Sequence, residues 1–200
     1  MVELEPFNVS RAYNRNEIVF RRSELEIRFD KRHIWAVRPP DMITDTIEQY
    51  FDNASLFTQL DRNFLEDRPD YKLSGAVKAI ERYDSGDLWF ARLSMSMQLV
   101  DAKDSNVIWR RDFDEERQVY NPGMVYIIQA LREILRQQME KYIYEIDLVL
   151  LKLKRQQEGR PLIELPTLLD TSIQETAADT TGPDRQASPD YELIPGKLSP

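Results

Sequence analysis

The chain has 200 residues and not one cysteine. Disulfides, thiolate metal sites and cysteine nucleophiles are excluded together, whereas a thiol-free chain suits either redox compartment. Histidine is almost as scarce, His33 being the single one. It stands in the polar run Asp30-Lys31-Arg32-His33, with no serine or acid at a recognisable catalytic spacing, so it reads as a loop residue rather than a general base. The six glycines are scattered singly and form no phosphate-cradling loop. With one histidine and no thiol, a metal site would need clustered carboxylates. Asp112, Asp114, Glu115 and Glu116 come nearest, but they flank Phe113 without calcium-loop glycine spacing and read as a solvated edge that blunts strand pairing. No catalytic residue, cofactor-binding residue or metal ligand is expected, and no enzyme.

Positive charge is also in deficit, with 27 Lys and Arg against 35 Asp and Glu and a net charge of −8. That balance argues against phosphate-backbone binding, so no nucleic-acid partner is expected. It argues equally against a polybasic grip on anionic lipid. No apolar run is long enough to span a bilayer. Met1 is followed by Val2-Glu3-Leu4-Glu5 rather than by a basic and then an apolar region. Taken literally, such a start indicates a cytoplasmic protein.

An apolar fraction of 42% beside a charged fraction of 31% belongs to a globular chain. Composition breaks at Gly159. From there to Pro200 lie six of the eleven prolines, seven acids against three bases, and neither Phe nor Trp. Such a stretch buries too little apolar surface to offset its ordering entropy. Residues 1–158 are expected to form one domain and residues 159–200 a largely disordered acidic tail. Within the tail, Leu162–Leu169 is apolar enough to dock on its own domain or on a partner.

Period-two alternation marks strands with one dry face. It runs through Ile18 and Phe20, then Leu25, Ile27 and Phe29, and appears again in Tyr71–Ile80, with Leu73, Val77 and Ala79 on one side. The clearest case places Trp89, Ala91, Leu93, Met95, Met97 and Leu99 on one face. Asp101–Asn106 turns the chain into a returning strand, Val107–Phe113, so three strands form a meander. Pro39-Pro40-Asp41 opens a helix whose stripe is Ile43, Ile47, Tyr50, Phe51 and Ala54. Asn121-Pro122 caps a second helix that continues to about Gln157, roughly 50 Å at 1.5 Å per residue. The expected fold is α+β, an antiparallel sheet with two helices packed on one face, the C-terminal one long. Trp35 and Tyr50 are expected to be buried. Tyr142, Ile146, Val149, Leu150 and Leu153 extend the second helix's stripe past the reach of the sheet and are a candidate partner interface. Phe90 and Ile108 put apolar groups on the wet face of the meander and are a candidate apolar patch.

The run Tyr13-Asn14-Arg15-Asn16-Glu17-Ile18-Val19-Phe20-Arg21 resembles the "Y-L-x-x-x-x-I-V-Y-R" segment of ABC-type transport auxiliary lipoproteins. Leu25–Phe29, Trp35-Ala36-Val37-Arg38-Pro39-Pro40, Tyr71-Lys72-Leu73-Ser74-Gly75-Ala76-Val77 and Leu99-Val100-Asp101 follow in that family's order, over about residues 7–145. The resemblance implies a periplasmic protein anchored by a lipidated N-terminal cysteine that this chain does not contain. It also implies work beside an ABC transporter and an MCE-family protein that move lipids or hydrophobic solutes. The family brings no catalytic residues.

Three functions remain in play. The first is a non-catalytic adaptor of such a transport system, with the MCE-family protein and ABC transporter subunits as partners, lipid as a candidate ligand, and self-association through the long helix. The second is a lipid-binding shuttle with a groove between sheet and helices. The third is an unrelated cytoplasmic α+β scaffold.

Overall fold

A computed structural model describes residues 1–23, 26–64 and 68–159. In chain order the elements are β1 (Val2–Leu4), β2 (Asn8–Val9), β3 (Glu17–Ser23), β4 (Glu26–Ile34), α1 (Pro39–Ala54), β5 (Leu60–Asp61), β6 (Tyr71–Ser85), β7 (Leu88–Asp101), β8 (Val107–Val119) and α2 (Met124–Gln157). The tail and its Leu162–Leu169 segment lie outside the described residues.

The meander β6-β7-β8 is antiparallel along its whole length. Gly86, at φ +60, makes the tight turn between its first two strands. The other edge of β6 is shared in series by β1, β2 and β3, all parallel to it. Beyond them lie β5, parallel to β1, and β4, antiparallel to β3. The fold is α+β as expected, but the sheet is mixed rather than antiparallel throughout. The short strands β1, β2 and β5 span only two or three residues each, too few for alternation to mark them as strands in the sequence.

The core face of the sheet follows the β7 pattern: Ala91, Leu93, Met95, Met97 and Leu99 are buried. One step of β6 departs from the simple alternation. A bulge leaves Lys78 without a partner between the pairs Val77↔Met95 and Ala79↔Ser94. An extra residue exchanges the two faces of a strand. Ala79 therefore joins the outer face, and Ile80, paired with Leu93, takes its place in the core.

Both helices cover the core face. Pro39, Ile43, Thr44, Ile47 and Phe51 of α1 are buried, while Tyr50 is half-buried and Ala54 exposed. Proline in the first turn starts α1, and Ser55 ends it in the left-handed region. Helix α2 begins at Met124, two residues later than Asn121-Pro122 suggests. Asn121 Oδ1 accepts a hydrogen bond from Gly123 N at 2.9 Å and closes the turn before the helix. Lys154 and Arg155 occupy its last turn, where the dipole favours cations.

Candidate functional site

Between α1 and α2 the core face is left partly open as a cleft of about 440 Å³. Its floor is Ile80 and Leu93; Trp35, Met42, Ile43 and Tyr50 form one wall, and Ile128, Leu131 and Leu135 the other. Thr46, Gln49, Asn53 and Arg132 supply the polar rim. Arg132 has no ion-pair partner among the described residues. The size lies within the roughly 300–1,000 Å³ of small-molecule pockets, and the apolar lining with a few polar groups is typical of them. Trp35 and Tyr50, expected in the core, are only half-buried because they wall this opening. The backbone of Trp35 is nevertheless fixed, its N–H donating to Asn16 O at 2.6 Å. Such a cleft can hold a narrow apolar group.

On the opposite face the two ends of the Tyr13–Arg21 motif meet. Both reach Glu81, a carboxylate with no solvent exposure. Tyr13 Oη donates to Glu81 Oε2 at 2.6 Å, and Arg21 Nε donates to both carboxylate oxygens at 3.0 and 3.1 Å. Arg21 Nη2 donates to Tyr13 Oη at 3.0 Å, and Arg92 Nη1 stands 3.5 Å from Glu81 Oε1. Burial pushes the Tyr13 hydroxyl up to about 12, and its hydrogen bond to Glu81 pushes in the same direction. The arrangement satisfies a buried charge with two cations and a hydroxyl, as low dielectric demands. Sequence reading missed it, because Glu81 in Ile80-Glu81-Arg82 looks like any wet strand position. The available signal was that Tyr13 and Arg21 recur together in the motif.

The five residues singled out on α2 divide. Tyr142 and Ile146 are buried in this domain and are not open to a partner. Tyr142 packs edge-on against Trp109 at 5.0 Å and Phe113 at 6.2 Å. Glu145, one turn along, accepts from Trp109 Nε1 at 3.0 Å and Arg111 Nε at 2.9 Å, which fastens the helix to β8. Burial pushes the Tyr142 hydroxyl up to about 12, with the charge of Glu145 adding to it. The expectation failed on the length of the sheet. Strands of 13–15 residues span about 45–50 Å at 3.3 Å per residue, as long as the helix. Val149, Leu150 and Leu153 are half-buried, and Leu151 is exposed.

Phe90 and Ile108 do not form one patch. Phe90 pairs with Gln118 and leans on Tyr83 at 6.0 Å, ten residues along β8 from Ile108. That separates them by about 30 Å. Two of the acidic residues of β8 are held by cations: Lys78 Nζ donates to Asp112 at 2.6 Å, and Arg92 grips Asp114 through two bonds of 2.9 and 2.8 Å. His33 is exposed, with Nδ1 at 2.8 Å from Asp30 Oδ2. Partial burial pushes the Asp30 carboxyl up, but hydrogen bonds from His33 and the Arg32 amide outweigh it and hold the carboxyl below its ordinary value.

Comparison with known proteins agrees with this architecture. The family model for the ABC-type transport auxiliary lipoprotein component matches residues 1–141, and the chain belongs to that family. A Xanthomonas campestris protein of the DUF330 family has a similar fold at 19% identity and a TM-score of 0.66, over 80% of this chain and 87% of that one. An uncharacterized protein shares 16% identity and a TM-score of 0.61, over 72% and 90%. No curated protein matches. Membership associates the chain with ABC-type transport and with membrane-anchored, extracytoplasmic lipoproteins. The matched residues end one position before Tyr142, so nearly half of α2 lies beyond them.

Proposed function

We propose that the protein is a non-catalytic, periplasmic auxiliary subunit of an ABC transport system with an MCE-family partner, moving lipids or hydrophobic solutes. It acts through protein–protein contacts. The observation that carries this reading is the family match over residues 1–141. The interface reading of α2 contracts to its last turns, where Val149, Leu150 and Leu153 are half-buried. Affinity purification of the tagged chain from its native membrane should bring down an ABC permease, its ATPase and an MCE-family protein. Protease added to spheroplasts should digest it without lysis. Protection until the inner membrane is broken, or purification free of all three subunits, overturns the assignment.

The cleft between α1 and α2 favours a second reading, a lipid-holding subunit in which one acyl chain lies against Trp35, Tyr50 and Leu131. A fatty acid should quench Trp35 fluorescence in the protein and not in Leu131→Arg. Unchanged fluorescence in both would leave only the adaptor role.

A further inference from the structure

Although the net charge is −8, it is not evenly spread. Residues 11–38 hold eight Lys or Arg against four Asp or Glu, a local +4 that leaves −12 on the remainder. Most of this positive charge belongs to the β3–β4 hairpin and its flanks, and much of it is not neutralised within the protein. Arg11, Arg15, Arg22, Lys31, Arg32 and Arg38 have no carboxylate partner among the described residues. On the meander several cations are matched, Lys72 by Glu3, Lys78 by Asp112 and Arg92 by Asp114.

Geometry gathers three of the six. Arg15, Lys31 and Arg38 line one shallow depression of about 700 Å³ with Asn14, Asn16 and Ile34, and Glu17 is its single carboxylate. Register explains why Lys31 projects there. Glu17 faces Ile34 and Val19 faces Phe29, so two steps of β3 oppose five of β4, and the surplus residues bulge outward. Asp30 Oδ1 holds that bulge by accepting from Arg32 N at 2.7 Å and His33 N at 3.1 Å. Beside it the Arg15 guanidinium lies 3.7 Å over the Phe29 ring, and its buried Nε has no hydrogen-bond partner. The same edge exposes apolar groups: Phe29 at 41%, Ile34 at 61% and Val37 at 46%.

We propose that this depression and the β4 bulge are a docking surface for an anionic phospholipid membrane. Arg15, Lys31 and Arg38 of the depression and Arg32 of the bulge take headgroup phosphates, while Phe29, Ile34 and Val37 enter the interface beside them. Unpaired cations interleaved with exposed apolar groups are what a charged lipid surface selects. An acidic protein strand would need a regular edge to pair with, and the bulge interrupts that edge.

Flotation of the full chain with vesicles of phosphatidylcholine containing phosphatidylglycerol, against phosphatidylcholine alone, tests this. Binding to the anionic vesicles only, weakening as salt rises, is expected. Each cation near such a surface is worth roughly fivefold in partition, so Lys31→Gln, Arg32→Gln and Arg38→Gln together should lower binding about a hundredfold. Arg32→Lys with Arg38→Lys should keep it. None of these side chains has an internal partner, so the denaturation midpoint should not move; were the triple variant unfolded, Lys31→Gln alone reads the first fivefold. Equal binding to both vesicles, or an undiminished variant, overturns the proposal. Displacement by glycerol phosphate at matched ionic strength would assign the site to a free phosphate, and retention on polyglutamate without vesicle binding would assign it to an acidic protein. The readout is a lipid surface and involves no transporter subunit, so it fails or succeeds separately from the transport assignment.

Discussion

The carboxylate of Glu81 is fully enclosed and has three neighbours to satisfy it: Tyr13 at 2.6 Å, Arg21 at 3.0 Å and Arg92 at 3.5 Å. Glu81→Ala removes the centre and leaves its partners behind. The Tyr13 hydroxyl keeps only a donor, Arg21, and the Arg21 and Arg92 guanidinium groups are left to repel each other across an empty space. Breaking a buried ion pair from one side costs about 3–5 kcal/mol, because the surviving charge has been desolvated without compensation. Glu81→Gln keeps the shape but turns an amide donor toward donors, and should cost about 2–3 kcal/mol. Tyr13→Phe removes one hydrogen bond to a charged acceptor, about 1.5–3 kcal/mol. The double variant Glu81→Ala with Tyr13→Phe should cost less than the two singles together, since phenylalanine leaves no stranded hydroxyl. Urea unfolding followed by tryptophan fluorescence measures all four. A loss under about 1 kcal/mol for Glu81→Ala would refute the claim that the motif residues work through this carboxylate.

Four further outcomes are expected. Ile146→Asp puts a charge at a site with no exposure and should destabilise the monomer by about 3–5 kcal/mol. Leu150→Asp, half-exposed, should cost about 1 kcal/mol, and equal losses in thermal denaturation would contradict the placement of α2. Trp35→Ala should cost only about 1–2 kcal/mol, since part of the ring already faces water; a loss of a fully buried tryptophan's size would mean that the cleft is closed in solution. Tyr13 and Tyr142 should resist ionisation until about pH 12. Their neutral forms are favoured by folding, so that stability is complete below about pH 10 and lost on rising to about 12. Ultraviolet titration of the nine tyrosines should therefore show two late ones, and a single wave near pH 10 would refute their burial. Gly75→Ala would set a Cβ 2.3 Å from the buried Phe7 ring and 2.5 Å from Ser96 O. Overpacking of this kind costs about 1–3 kcal/mol, and a neutral result would show that Phe7 does not lie on the strand.

The alternation of β7 was legible because the extra residues lie in its neighbours, Lys78 in β6 and Ile108 in β8, so its own period two survives. The two helices were legible from their stripes, and the family from the order of its motifs. What was hidden lies where one residue changes the count. At Lys78 a bulge turned Ala79, still buried, to the outer face and Ile80 to the helix-covered face, and the same shift set Glu81 on the outer face beside Tyr13 and Arg21. Nothing in the local composition announces an extra residue. The reach of α2 was misjudged for a related reason: Val107 to Phe113 was read as the whole returning strand, while pairing continues to Val119 through charged residues. Those six residues keep the sheet under the helix.

Net charge hid more than it revealed. Averaged over 200 residues, −8 argues against anionic surfaces, yet electrostatic attraction is felt within a screening length of about 8–10 Å, not over a whole protein. At that range the β4 bulge meets its surroundings as Arg15, Lys31, Arg32 and Arg38 against Glu17 and Asp30. The excess acid lies elsewhere, much of it committed to internal pairs such as Asp112 with Lys78 and Glu133 with Arg136. Segregated charge of this sort orients a protein as well as attracting it. A basic edge facing a lipid surface turns the acidic remainder away, and the cleft walled by Trp35 is held by the same Ile34–Arg38 segment that borders the basic depression. A protein oriented by that edge would hold its apolar cleft close to the membrane rather than at a random distance from it.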